Sequence, residues 1–218
     1  MKDIERFVSG FRSFQKEYFG SHGSHFEQLR RSQSPRTMLI GCSDSRVDPA
    51  TLTRSRPGDL FIVRNIANLV PPCEREPGRH GVSAAIEYAV CQLEVEDIIV
   101  MGHSNCGGIG CLMRGCCQVS SDSFLERWMS IAAPARERVL AELQGKDEAL
   151  LRRAVEQASI LLSIENLHSF PFVKERIEAG RLSLHGWYFD LDAGSLLEYD
   201  QTERLFVPTG DSQQASSG

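Results

Sequence analysis

The chain has 218 residues, 41% of them hydrophobic and 24% charged, with a formal net charge of −5 at pH 7. That length and apolar content suffice for a single domain with a substantial core, whereas the acidic balance, with no basic tract longer than Arg30-Arg31 or Arg152-Arg153, argues against nucleic acid as a partner. No segment approaches the ~18 apolar residues of a membrane span. The first residues, MKDIERFVSGFRSF, show no secretory h-region, so the seven cysteines read as those of a cytoplasmic protein that uses them for metal binding, catalysis or burial rather than a disulfide framework.

Residues 2–19 place Ile4, Phe7, Val8, Phe11, Phe14 and Tyr18 at helical spacing. This is an amphipathic helix, within an N-terminal arm over 1–30, whose apolar stripe packs either on its own subunit or on another. Met38–Ile40, bounded by Pro35 and Gly41, reads as a buried strand; Leu60–Val63 follows a Pro-Gly turn as a second. "HGVSAAIEYAVCQL" is a helix with Val82, Ala85, Ile86, Ala89, Val90 and Leu93 on one face, and it leads into a third strand at Ile98–Met101. Strand, helix, strand implies parallel pairing through a right-handed crossover. Helices are expected over Pro134–Leu143, over Asp147–Leu167 and in "HSFPFVKERIEAG" up to Gly180, and then two strands joined at Asp192-Ala193-Gly194. The expected fold is α/β: a central, mostly parallel β-sheet flanked by helices, with the N-terminal helical arm and a C-terminal β-hairpin. One domain covers 1–208, and 209–218 is a disordered tail.

Chemistry concentrates at two strand ends. Cys42 follows one, His103 and Cys106 another, and in open parallel sheets ligands sit in the crevice outside the carboxyl ends of the strands. Two thiolates and an imidazole form a borderline-soft set that suits Zn²⁺, and three ligands with one replaceable position describe a catalytic site rather than a closed structural one. Asp44 is the nearest fourth candidate, yet Arg46 lies two residues on. The carboxylate serves either the metal or the planar fork of the guanidinium. In the second case water takes the open position and its proton passes to the carboxylate beside it. Because two thiolates offset the metal's charge, activity should rise with pH. The glycines of "CGGIG" at 106–110 lack the flanking Lys or acidic partner of a phosphate loop and read as close backbone approach and a helix start. Cys73, Cys91, Cys111, Cys116 and Cys117 read as ordinary cysteines. His22, His25, His80 and His185 are candidates for proton shuttling, with nothing to select among them.

"CSDSR" at 42–46, "RNIANLVPP" at 64–72, "AAIEYAV" at 84–90 and "GHSNCGGI" at 102–109 resemble the β-class carbonic anhydrases in order and spacing, from about Gln33 to Tyr199. The resemblance implies one zinc ion per subunit on Cys42, His103 and Cys106. It also implies an Asp44–Arg46 dyad controlling the fourth zinc position, and reversible hydration of carbon dioxide to bicarbonate and a proton by attack of zinc-bound hydroxide. Gln33, nine residues before Cys42, matches the plant-type members, where its amide would hold bicarbonate. Phe61, Ile66, Tyr88 and Gly107 complete the implied substrate pocket. A bacterial subclass builds a non-catalytic bicarbonate site from a tryptophan, an arginine and a tyrosine; the matching positions are Leu39, Arg64 and Phe189, so no such site is expected. The family implies a homodimer or homotetramer, with the N-terminal helix laid across a neighbour and part of each pocket supplied by the partner. Two alternatives share the ligands: a carbon disulfide or carbonyl sulfide hydrolase, and a zinc-binding protein without turnover.

Overall fold

The computed structural model describes residues 2–19, 24–74, 78–115 and 123–210. His22, Cys116, Cys117 and residues 211–218 of the expected tail lie outside that set, as does the side chain of His25. The chain divides into two compact units, 1–34 and 35–218.

The first unit contains α1 (Lys2–Phe19) and α2 (Ser24–Leu29). Asp3 and Glu5 in the first turn of α1 and Lys16 in its last complement the helix dipole. The aromatic stripe splits in two. Phe14 and Tyr18, with ring centroids 4.7 Å apart, join Phe19 and Phe26 in a tilted and edge-on cluster. Ile4, Phe7, Val8 and Phe11 remain 47–66% exposed.

The second unit runs β1 (Thr37–Cys42), α3 (Pro49–Thr53), β2 (Leu60–Asn65), α4 (Gly81–Glu87), β3 (Asp97–His103), α5 (Gly107–Arg114), α6 (Phe124–Met129) and α7 (Ala133–Glu142). It continues through α8 (Glu148–Leu167), α9 (Pro171–Glu178), β4 (Ser183–Asp190), β5 (Ser195–Asp200) and β6 (Leu205–Pro208). The sheet has the order β2-β1-β3-β4-β5-β6. β2, β1, β3 and β4 are mutually parallel, and β5 and β6 add antiparallel. The mostly parallel sheet and the hairpin are as the sequence indicates; Gly194, at φ 63°, closes the β4–β5 turn in the left-handed region that glycine tolerates. Two details differ from expectation. The predicted helix after His80 ends as α4 at Glu87 and passes into a π-helical turn over Tyr88–Gln92. β6 is an additional short edge strand.

Both faces of β1 and β3 are buried, which is why these two strands read as continuous apolar runs rather than alternating ones. Met38, Ile40, Ile98 and Val100 point to the face covered by Ile86, Ile160 and Val173, while Leu39, Ile99 and Met101 meet Val47, Trp187 and Phe189 on the other. Burial of Ile160 alone contributes about 1.5–3 kcal/mol. Its close approach depends on Gly102: a Cβ there would lie 2.7 Å from Ile160 Cδ1. Asp147 caps α8 by accepting the Leu150 N–H at 2.9 Å, and Gly180, at φ 65°, terminates α9. Among the described residues no helix is long and apolar enough to cross a membrane.

Candidate metal centre

β1 and β3 are adjacent and parallel, and their register pairs Gly41 with Met101. Cys42 and His103 therefore end neighbouring strands at the same sheet edge, and Cys106 follows two residues after His103's loop begins, at the N-cap of α5. One ligand atom from each of Cys42, His103 and Cys106 lies within 4.8 Å of the other two. All three residues are at most 4% exposed. Among the described residues this is the one cluster of Cys, His or carboxylate side chains with that geometry.

The loop after β1 is held by its neighbours. Arg64 on β2 donates from Nε to the Cys42 carbonyl (2.9 Å) and from Nη2 to the carbonyls of Asp44 (2.7 Å) and Val47 (3.0 Å). Leu39 and Phe189, the other positions of the bicarbonate site that the sequence was not expected to carry, pack in one apolar layer. Arg46 makes a fork on Asp44, Nε to Oδ1 at 2.9 Å and Nη2 to Oδ2 at 2.8 Å, and its backbone N–H also donates to Oδ1 at 3.0 Å. Nη2 further donates to the Asn105 carbonyl at 3.0 Å, tying the dyad to the second loop. Of the two partners open to Asp44, the guanidinium has it. Asp44 Oδ2 still lies 3.9 Å from His103 Nε2.

The donor chemistry fits a divalent cation. His103 Nδ1 sits 2.9 Å from the Ser104 carbonyl, a contact that places the proton on Nδ1 and leaves Nε2 as a lone pair. Nε2 is buried without a hydrogen-bond partner, a costly arrangement in the absence of a ligand for it. The two thiols share a proton: the hydrogen bond from Cys106 lowers Cys42 to about 4, and the same bond, with burial, raises Cys106. Backbone N–H groups of Ile109 and Gly108 at the start of α5 favour the Cys106 thiolate, and that of Asp44 favours Cys42. Burial opposes a charge on His103, but the neighbouring Cys42 sulfur raises its pKa. The Arg46 hydrogen bonds hold the Asp44 carboxyl well below the usual carboxylate range.

A carbonic anhydrase family model matches residues 37–196, which include Cys42, His103 and Cys106 and the Asp44–Arg46 pair. In three dimensions the chain superposes on the β-carbonic anhydrase CcaA with a TM-score of 0.88 and 37% identity, over 95% of this chain and all of that one. The chain is a β-class carbonic anhydrase. It is 39% identical to a carbonic anhydrase of Synechocystis sp. over 94% of its own length and 74% of that protein's, and 38% identical to one of Pseudomonas aeruginosa over 95% and 91%. It also resembles one of two tetrameric β-carbonic anhydrases of Sordaria macrospora, at 28% identity and a TM-score of 0.81 over 96% of this chain and all of that one.

Around the centre of this carbonic anhydrase the sequence-predicted pocket residues fall into groups. Ile66 follows Asn65, the register partner of Cys42, and lies beside Gly108; Trp128 donates to its carbonyl at 2.8 Å. Ser43, Ile66, His80 and Trp128 share a cavity of about 870 Å³. Gly107 is exposed at the start of α5, with open space where a side chain would begin. Phe61 and Tyr88 sit together, ring centroids 5.9 Å apart, but Phe61 pairs with Met38, four residues before Cys42. At ~3.3 Å per residue that is about 13 Å from the ligand level, so the chain does not bring them to its own centre. Gln33 belongs to the N-terminal unit and is exposed. Of the candidate shuttles, His185 has its two nitrogens on Asp97 and Glu198, at 2.9 and 3.1 Å. Cys111 packs partly buried in the apolar cluster behind Cys106.

Sequence reasoning missed two residues. Arg64 serves as a clasp on three carbonyls. Glu156, 3% exposed on α8, accepts the N–H of Cys106 at 3.0 Å. The available signal was its place on the apolar face of α8, next to Val155 and between Arg152 and Ile160.

Proposed function

We propose that this carbonic anhydrase holds one zinc ion per chain on Cys42, His103 and Cys106 and interconverts carbon dioxide with bicarbonate and a proton. When bound, zinc supplies the Lewis acidity that makes water a nucleophile near neutral pH. Arg46 keeps the Asp44 carboxylate forked and ionised, so that it stays out of the ligand cluster and leaves room for solvent beside it. From that position Asp44 accepts a hydrogen bond from the solvent molecule and directs a lone pair toward the substrate. Arg64 fixes the carbonyls of the loop that carries both residues. Ile66 and Trp128 present an apolar wall, which suits a neutral substrate better than an ion.

Phe61, Tyr88 and Gln33 join this reading as groups that one chain contributes to the pocket of another, given the distance of Phe61 from its own centre. The exposed face of Ile4, Phe7, Val8 and Phe11 supplies the apolar contact that such a dimer or tetramer needs.

The observation that carries the proposal is the orphaned Nε2 of His103 beside two thiols and a carboxylate already held by arginine. The test combines metal analysis with stopped-flow hydration of carbon dioxide and a parallel assay on carbonyl sulfide. The wild type should carry about one zinc per chain and hydrate carbon dioxide. Asp44→Ala should keep its zinc and lose most activity, and Cys106→Ser should lose the zinc. Zinc-loaded protein that turns over carbonyl sulfide but not carbon dioxide would overturn the assignment, and so would full activity in Asp44→Ala.

A further inference from the structure

The two peptide groups that flank the Cys106 Cα are held by one pair of side chains on α8. Glu156 Oε1 accepts the Cys106 N–H at 3.0 Å, and Arg152 Nη2 donates to the Cys106 carbonyl at 2.9 Å. Arg152 Nε lies 3.2 Å from the same Glu156 Oε1, which closes the pair across one helical turn. The second carboxylate oxygen accepts the Tyr188 hydroxyl at 2.9 Å, and the guanidinium of Arg153 stacks 5.3 Å from the Tyr188 ring while pairing with Asp190 at 2.7 Å. The residue just before Cys106, Asn105, is in the left-handed region at φ 57°. As the N-cap of α5, Cys106 has an N–H with no place in the helical ladder. Without Glu156 that donor would be buried and unmet.

A helix face turned into a sheet ordinarily carries apolar residues, and a carboxylate 3% exposed is costly there unless its partners are built around it. Besides the Tyr188 hydroxyl, the partners present are the Arg152 guanidinium and the backbone of Cys106 itself. We propose that Glu156 and Arg152 are positioning residues that fix the Cys106 sulfur in the metal's coordination sphere. Gly108 and Ile109 N–H groups then meet the sulfur because the preceding peptide has been set by α8. The inference rests on the reading of Cys106 as a zinc ligand.

The test uses the metal itself as the readout. Full-length wild type, Glu156→Gln, Glu156→Leu and Arg152→Met would be loaded with zinc, and the rate of zinc transfer to a chelator measured. The same proteins loaded with cobalt would give the thiolate-to-metal charge-transfer spectrum. Loss of a group that orients a ligand weakens metal binding by roughly 10–100-fold, so Glu156→Leu should release zinc at least ~10-fold faster and show a shifted cobalt spectrum. Glu156→Gln retains an oxygen acceptor for the Cys106 N–H and should restore both toward wild type. If Glu156→Leu does not fold, Arg152→Met, at a side chain 29% exposed, carries the test alone and should release zinc several-fold faster. Variants that are less stable but keep wild-type release rates and spectra would overturn the clamp and leave the zinc assignment intact. A wild-type protein that takes up neither metal would remove both.

Discussion

Gly107 and Gly108 are neighbours in the first turn of α5, and the structure gives replacement by alanine opposite outcomes at the two positions. A Cβ on Gly107 would have nothing within 4 Å, whereas one on Gly108 would lie 2.8 Å from Ile66 Cγ2 and 3.2 Å from both Ala67 Cβ and Met129 Sδ. The helix-propensity gain is common to both, about 0.5–1 kcal/mol at most. Only Gly108→Ala adds overpacking, worth about 1–3 kcal/mol. Relief by movement is restricted: Ile66 is β-branched and rotamer-limited, and Ala67 is held at φ 62° in a turn pinned by Asn65, which exchanges hydrogen bonds of 2.8 and 2.9 Å with Leu69. Gly108→Ala should therefore melt below Gly107→Ala by roughly 2–12 °C, at ~2–4 °C per kcal/mol for a chain of this size. Thermal unfolding of both zinc-loaded variants at equal concentration measures the difference. Since the Gly108 N–H faces the Cys106 sulfur, zinc release should also quicken only in Gly108→Ala. Equal melting temperatures, or a more stable Gly108→Ala, would refute the packing argument.

Three further outcomes follow from the same geometry. Arg46→Ala should cost roughly 10²-fold in carbon dioxide hydration with zinc content unchanged, and Arg46→Lys, which keeps a charge without the fork, should fall between; stopped-flow rates paired with metal analysis check both. In metal-free protein at neutral pH, thiolate absorbance should report one ionised sulfur, because the hydrogen bond between the two thiols lowers the pKa of Cys42 and raises that of Cys106, and adding zinc should bring out the second. Asp190, buried against Arg153 and capping the turn at Asp192 and Ala193, has a lowered pKa despite its burial. A depressed carboxyl contributes stability above its unfolded pKa of ~3.9 that is lost as pH falls through the folded value. Denaturant unfolding should thus show wild type more stable than Asp190→Asn near neutrality and the gap closing below about pH 4.

The strands that carry Cys42 and His103 were legible because each is an apolar run buried on both faces and bounded by a glycine, Gly41 or Gly102, at its penultimate position, a local pattern that needs no tertiary knowledge. Cys42, His103 and Cys106 were legible for the same reason, as donors at or just past those strand ends. Asp44's choice between metal and Arg46 was open in the sequence, since both partners lie within its reach; the third contact of Arg46, to the Asn105 carbonyl, comes from a loop 59 residues away and helps hold the fork in place. Phe61 and Tyr88 were grouped with the centre by family resemblance, and only the β1–β2 register shows how far along the strand they sit. Glu156 drew no reading in the sequence, although it falls on the apolar face of its helix. Its burial is decided by where α8 crosses the end of β3, and helix periodicity carries no information about the strand it meets. β6 was too short, and too polar on either side, to stand out.

The ladder between β1 and β3 makes the spacing of the ligands independent of the length of chain between them. Cys42 and His103 stay in reach because backbone hydrogen bonds lock Gly41 against Met101, whatever the intervening residues do. Extra residues grafted after Arg54, at the end of α3, should leave the spacing of Cys42 and His103 unchanged. A slip of one position in that ladder would displace Cys42 by ~3.3 Å and turn its sulfur toward the opposite face. Tolerance of insertion and intolerance of slippage thus arise from a single pair of strands.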